Sequence, residues 1–136
     1  MRKRTLAREY VLKILYQAEI CSRKISLAVD LFWEDHTKVH HVVKNFAQEL
    51  LKGIDSNLDE IDDKITACAT NWQLKRMAVI DRNILRIGVY ELFFADKIPP
   101  KVSINEAVEL AKKFGDLESS KFINGILDKL HKSAPS

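Results

Sequence analysis
The chain has 136 residues, 46% of them apolar, and a net charge of +3, which suits one compact unit able to bury its own core. No apolar run is long enough to cross a bilayer, and the opening MRKRTLAREY lacks the apolar stretch and small-residue cleavage site of a signal peptide, so a cytoplasmic protein is expected. The charge is uneven: residues 1–24 carry seven basic side chains against Glu9 and Glu19, a local +5, while the remainder sums to −2, the footprint of a chain that meets a polyanion with one end.

Ala7, Val11, Ile14, Leu15 and Ala18 recur at helical spacing and predict an amphipathic helix from about Thr5 to Cys21. The basic cluster sits at its N-terminal end, where the helix dipole prefers anions, so an external anion would offset the misfit. Arg4 and Arg8 are one turn apart on one side, and Lys13 and Tyr16 form a second neighbouring pair. A short helix around Ser26–Trp33 follows, and then Val39, Val42, Val43, Phe46, Leu50 and Ile54 mark a longer one broken near Gly53. Leu58, Ile61, Ile65 and Cys68 carry a further helix, with Asp55, Asp59, Asp62 and Asp63 on its solvated side. The stretch from Met77 to Ala95 is apolar on more than one face, which predicts a central, buried helix, and Gly88 within it marks a close helix contact. Pro99 and Pro100 force an extended link, Ser103-Ile104-Asn105-Glu106 reads as the capping box of the next helix, and Gly115 ends that helix. The last helix runs from about Ser119 to His131 and buries Ile123, Ile126, Leu127 and Leu130. Alternating strand patterns are nearly absent, so the class is all-α.

Catalytic and cofactor motifs fail on spacing. The four glycines are not clustered, which excludes a phosphate-binding loop and a dinucleotide fingerprint. Cys21 and Cys68 have no CxxC partner and read as reduced, packed thiols. His36, His40 and His41 lie close in sequence but without HExxH spacing, and the aspartates of the fourth helix lack a partner for acid/base work. No catalytic residue, metal or cofactor is therefore assigned.

Three segments stand out by their order and spacing along most of the chain. The first is Arg4-x-x-Ala7-Arg8 running on to Leu15-Tyr16-Gln17, and the second is Trp72-Gln73-Leu74 through Asp81-Arg82-Asn83-Ile84-Leu85-Arg86-Ile87 to Tyr90-Glu91-Leu92. The third and most specific is Asn105-Glu106-Ala107-Val108-Glu109-Leu110-Ala111-Lys112, Phe114-Gly115, and Lys121-Phe122-Ile123-Asn124-Gly125-Ile126-Leu127-Asp128. Together these segments resemble the NusB family; Lys13 stands where glutamine is frequent in that family, Glu118 where aspartate is frequent, and residues 22–45 show little similarity.

The resemblance implies about seven helices in two packed subdomains, about 1–70 and 71–136. It also implies a non-catalytic antitermination factor that binds single-stranded boxA-type RNA with the ribosomal protein NusE and reaches RNA polymerase indirectly on ribosomal RNA operons. Arg2, Lys3, Arg4 and Arg8 are expected to neutralise phosphates, with Tyr16 and Phe122 as stacking platforms and Lys121 anchoring the backbone beside Phe122. Core packing is the competing role for both aromatics. Asp81 and Arg82 are candidate NusE contacts, or else a structural ion pair. Glu118 either caps the last helix or limits affinity by repelling phosphate. Two alternatives stand beside this reading: a module working with a separate RNA methyltransferase, and a protein-interaction or homodimerisation module.

Overall fold
The apolar spacing of the chain becomes seven α-helices and one short 3-10 turn. They are α1 (Lys3–Ile20), α2 (Ile25–Asp35), α3 (His41–Ser56), α4 (Leu58–Cys68), the 3-10 turn (Leu74–Arg76), α5 (Val79–Phe94), α6 (Pro100–Phe114) and α7 (Ser119–Ser133). The structure is a computed structural model that describes residues 2–69, 74–95 and 97–133, and no strand occurs among them. Trp72 and Gln73 of the second family segment, and the expected subdomain boundary near residue 70, lie outside the described residues.

The helix α5 is central because it is apolar on several sides: Ile84, Leu85, Ile87 and Val89 are all buried. It packs against α1, α3, α4, α6 and α7. Gly88 is the close approach its position suggested, since a Cβ there would stand 2.7 Å from Leu127 Cδ1 of α7. Among the described residues no helix is long and apolar enough to cross a membrane.

Local chemistry moved several expected helix ends. The helix α1 closes in a Schellman arrangement, in which Arg23 N–H donates to Ala18 O at 2.7 Å and Ser22 N–H to Glu19 O at 3.2 Å. Ser22 takes the left-handed position at φ 51°. Gly53 does not break α3, which runs on to Ser56. It is needed for space: a Cβ at Gly53 would fall 2.2 Å from Cζ of Tyr90 on α5. Gly53→Ala is therefore expected to destabilise the fold by about 1–3 kcal/mol in urea unfolding, despite the better helix propensity of alanine. Stability equal to the parent's would show that Tyr90 swings aside freely.

The capping box at Ser103 is not formed. The extended backbone of Pro99 caps α6 and Pro100 takes its first position, where the missing N–H costs nothing. Ser103 lies inside the first turn and donates its hydroxyl to Glu91 Oε1 at 2.9 Å. Gly115 ends α6 in an extended conformation, and a Cβ there would stand 2.5 Å from Ser119 Cβ. Cys21 is exposed rather than packed because it caps the end of α1, whereas Cys68 is half-buried, and both are free thiols.

Candidate nucleic-acid interface
Two polar clusters hold α1 antiparallel along α5 and decide which charges remain outside. In the first, the Arg8 guanidinium grips Glu91 with both arms, Nε to Oε2 at 2.7 Å and Nη2 to Oε1 at 2.8 Å. Arg8 Nη1 also reaches Glu106 Oε1 on α6 at 3.2 Å, and Thr5 Oγ1 donates to that oxygen at 2.6 Å. Arg8 is only 2% exposed. The expectation that Arg8 meets phosphate is thus corrected: its donors are committed to two glutamates inside the protein.

The second cluster sits at the other end of the pair. Glu19 of α1 accepts from Arg82 and, at 2.9 Å, from Arg86 Nη1, while Arg86 also makes a two-armed pair with Asp62 of α4 at 2.8 and 2.9 Å. Burial opposes the charge on Glu19, but the hydrogen bonds and positive charge of Arg82 and Arg86 outweigh it and hold the carboxyl below its ordinary value. Arg82 further donates to the carbonyls of Leu74 at 2.7 Å and Met77 at 3.1 Å, anchoring the 3-10 turn. It is an internal clamp and not a free contact for a partner, and it pairs with Glu19 rather than with its neighbour Asp81. Asp62 likewise leaves the solvated acidic face to bind Arg86.

Arg2, Lys3 and Arg4 remain. All three are exposed, and none makes an ion pair among the described residues. The first turn of α1 holds no acidic residue, and no side chain caps it. Three cations therefore add to the positive end of the helix dipole, an arrangement that attracts phosphate. The Arg4 guanidinium lies 4.5 Å above the Phe46 ring of α3, which orients it without neutralising it.

From this end a groove of about 580 Å³ runs between α1 and α6, lined by Arg2, Thr5, Glu9, Asn105, Lys112 and Lys113 among others. Lys113 Nζ bonds Glu9 at 2.9 Å and lies 5.5 Å from the Phe114 ring centre, and Lys13 Nζ lies 6.0 Å from the same ring. Lys13 Nζ also lies 5.8 Å from the Tyr10 ring centre. Tyr16, one turn farther along α1, is 38% exposed, leaving part of its ring open for stacking. Lys112, Lys113 and Phe114 were given no role at the site from the sequence, although two lysines beside an aromatic residue at a helix end are a readable signal.

Lys121 and Phe122 lie at the start of α7, near the N-terminal end of α5. The basic arm of α1 lies near the opposite end, as the Arg8–Glu91 pair requires, and α5 is about 24 Å long. The two groups of residues therefore do not form one compact site; the exposed stretch of α1 through Lys13 and Tyr16 lies between them. Lys121 is exposed, and Phe122 is half-buried against the core. With Asp81, Asp116, Glu118 and Ser119, Phe122 lines a depression of about 260 Å³. Burial raises the Asp81 pKa, Asp116 adds to this, and a hydrogen bond from Ser119 opposes it. Glu118 is exposed at the head of α7, where its carbonyl accepts from Phe122 N–H at 3.1 Å, but it is not the residue whose side chain bonds the first N–H groups. That residue is Asp116, its Oδ1 accepting from the N–H groups of Glu118 at 3.0 Å and Ser119 at 3.1 Å.

His36 and His40 hold helix ends. His36 Nδ1 lies 2.8 Å from Phe32 O and its ring stacks on Phe32, while His40 Nδ1 accepts from Val42 N–H at 3.1 Å and caps α3. Among the described residues no group of three metal-ligating side chains is found. Desolvation, with Lys3 and His41 nearby, lowers the His40 pKa below its ordinary value. The folded state thus favours neutral His40, whose contribution is present above the unfolded value and lost as pH falls through the folded one. His40→Asn, which keeps a capping acceptor but does not titrate, is expected to lose less thermal stability than the parent between pH 7.5 and pH 5 on the histidine scale. Equal losses in differential scanning calorimetry would contradict this.

The chain is an all-helical protein with two internal ion clamps, whose unpaired positive charge is gathered at one exposed helix start that opens on a groove. The profile described as the NusB family matches residues 5–132. Curated relatives include the transcription antitermination protein NusB of Myxococcus xanthus, 46% identical with 96% of this chain and 95% of that protein covered, and that of Anaeromyxobacter sp. strain Fw109-5, 44% identical over 98% and 92%. The structure of T. maritima NusB superposes with a TM-score of 0.88 at 38% identity, covering 97% of this chain and 93% of that one. The chain belongs to the NusB family. A further neighbour, antitermination factor NusB solved with NusE and double-stranded RNA, has a TM-score of 0.88 at 27% identity over 98% and 99% of the two chains.

Proposed function
We propose that the chain is a transcription antitermination factor that binds single-stranded boxA-type RNA together with NusE and supports processive transcription of ribosomal RNA operons in the cytoplasm. The observation that carries this reading is the trio Arg2, Lys3 and Arg4, exposed at the uncapped start of α1 and continuous with the α1–α6 groove, in a chain of the NusB family. Phosphate contacts from the arm supply affinity and position the strand, while Tyr16, and Phe122 with Lys121, offer ring faces and an anchor farther along it. Asp81 remains the candidate NusE contact, since Arg82 is held internally. No catalytic step is assigned to the protein; elongation by RNA polymerase is modified through the assembled complex.

The test is a titration of boxA-type RNA and a scrambled RNA of the same composition, with and without NusE. Tighter binding of the boxA-type strand in the presence of NusE supports the proposal. Equal affinities for both strands under both conditions would overturn it.

A further inference from the structure
Arg4 borders two grooves. On one side it lines a hollow of about 540 Å³ with Arg2 and Lys3, which joins the α1–α6 groove through their shared walls Arg2 and Thr5. On the other it lines a larger groove of about 760 Å³ between α3 and α5, whose walls include Phe46, Glu49, Lys52, Tyr90 and Lys97. Ile98 is also common to the hollow and this larger groove. The three spaces follow one another around the start of α1.

We propose that the RNA strand held by the basic arm continues past Arg4 into the α3–α5 groove, which binds nucleotides flanking the boxA-type element. This rests on the RNA-binding reading above. The lining is cationic, with Arg4, Lys52 and Lys97 against Glu49 as the one acidic wall residue among the described residues. It is also aromatic. The Tyr90 ring is held against α3 at Gly53 and stacks on Phe94 with centroids 5.8 Å apart and planes at 8°. The Arg4 guanidinium has one side on Phe46, which leaves a flat cationic surface of the kind on which a nucleobase stacks. Cations and a flat guanidinium face backed by the buried Phe46 ring, in an open groove continuous with the basic arm, suit single-stranded nucleic acid without sequence preference. An acidic peptide would use the cations but has no call on the flat guanidinium face.

The experiment compares a minimal boxA-type RNA with the same RNA extended by roughly six uridines at its 5′ or its 3′ end, a length within the site sizes of single-strand grooves. One extension is expected to tighten binding about tenfold, and Lys52→Ala with Lys97→Ala to abolish that gain while leaving the minimal RNA unaffected. Both lysines are exposed, so the fold is not at stake. Failure of the minimal RNA to bind would defeat the RNA-binding reading itself. Binding of the minimal RNA with no gain from either extension, or a gain that survives loss of both lysines, would overturn this inference alone.

Discussion

Arg8→Ala is expected to lower the free energy of unfolding by about 3–5 kcal/mol, the cost of leaving a buried charge without its partner. Glu91 is 1% exposed, and after the substitution its carboxylate would keep only the Ser103 hydroxyl among its present partners. Glu106, which shares Arg8, is half-buried and can turn toward water. A double replacement, Arg8→Met with Glu91→Leu, is expected to be less harmful than Arg8→Ala because no charge is then stranded. Urea unfolding followed by circular dichroism measures both, with a lower midpoint and an unchanged slope as the signature of lost stability. If Arg8→Ala left the midpoint in place but weakened RNA binding, the assignment of Arg8 as an internal clamp would fail.

The triple substitution Arg2→Ala, Lys3→Ala and Arg4→Ala should behave in the opposite way. These side chains are exposed, and removing cations from a helix start relieves an unfavourable dipole interaction that partly offsets the lost Arg4–Phe46 contact, so stability is expected to stay within about 1 kcal/mol. RNA binding should suffer greatly. Each phosphate contact to a single strand contributes about 0.7 to the slope of log affinity against log salt, so losing three reduces the slope by about 2. Relative to 1 M salt, that is about hundredfold weaker binding at 0.1 M. Fluorescence anisotropy across a salt series checks it. An unchanged slope would remove the basic arm from the interface, whatever happens to affinity at one salt concentration.

Set side by side, the two experiments separate arginines that look alike in the chain. Arg4 and Arg8 are one turn apart, and helical spacing puts them on one side of α1. Phe46 indeed lies within reach of both guanidinium groups, at 4.5 and 5.3 Å. Their difference comes from depth: Arg8 lies where α5 and α6 converge on α1, whereas Arg4 lies beyond that contact.

Much of the helical framework was legible because it follows from local pattern. Apolar spacing located the seven helices to within a few residues, and the all-round apolar character of α5 announced its central place. Gly88 was read correctly as a close contact, while Gly53 was misread as a stop. The two differ only in what a neighbouring helix brings to them, Leu127 in one case and Tyr90 in the other. Ser103 failed for a related reason. Its spacing to Glu106 matched a capping box, but Pro100 started α6 earlier and a buried glutamate claimed the hydroxyl. At the start of α7 the side-chain acceptor is Asp116, placed there by the turn that follows Gly115, while Glu118 supplies its carbonyl.

By itself the sequence determined that this protein is helical, that its positive charge is gathered at the first helix, and that it resembles the NusB family. Those properties are written in periodicity, composition and local motifs, which need no knowledge of distant neighbours. Only the tertiary structure decided which charges are available. Arg8 meets a glutamate 83 residues away and Arg82 one 63 residues away, and no local rule anticipates such pairings. Burial makes an unpaired charge costly, so the core takes the arginines it can pair and leaves Arg2, Lys3 and Arg4 outside, where the fold joins them to two grooves.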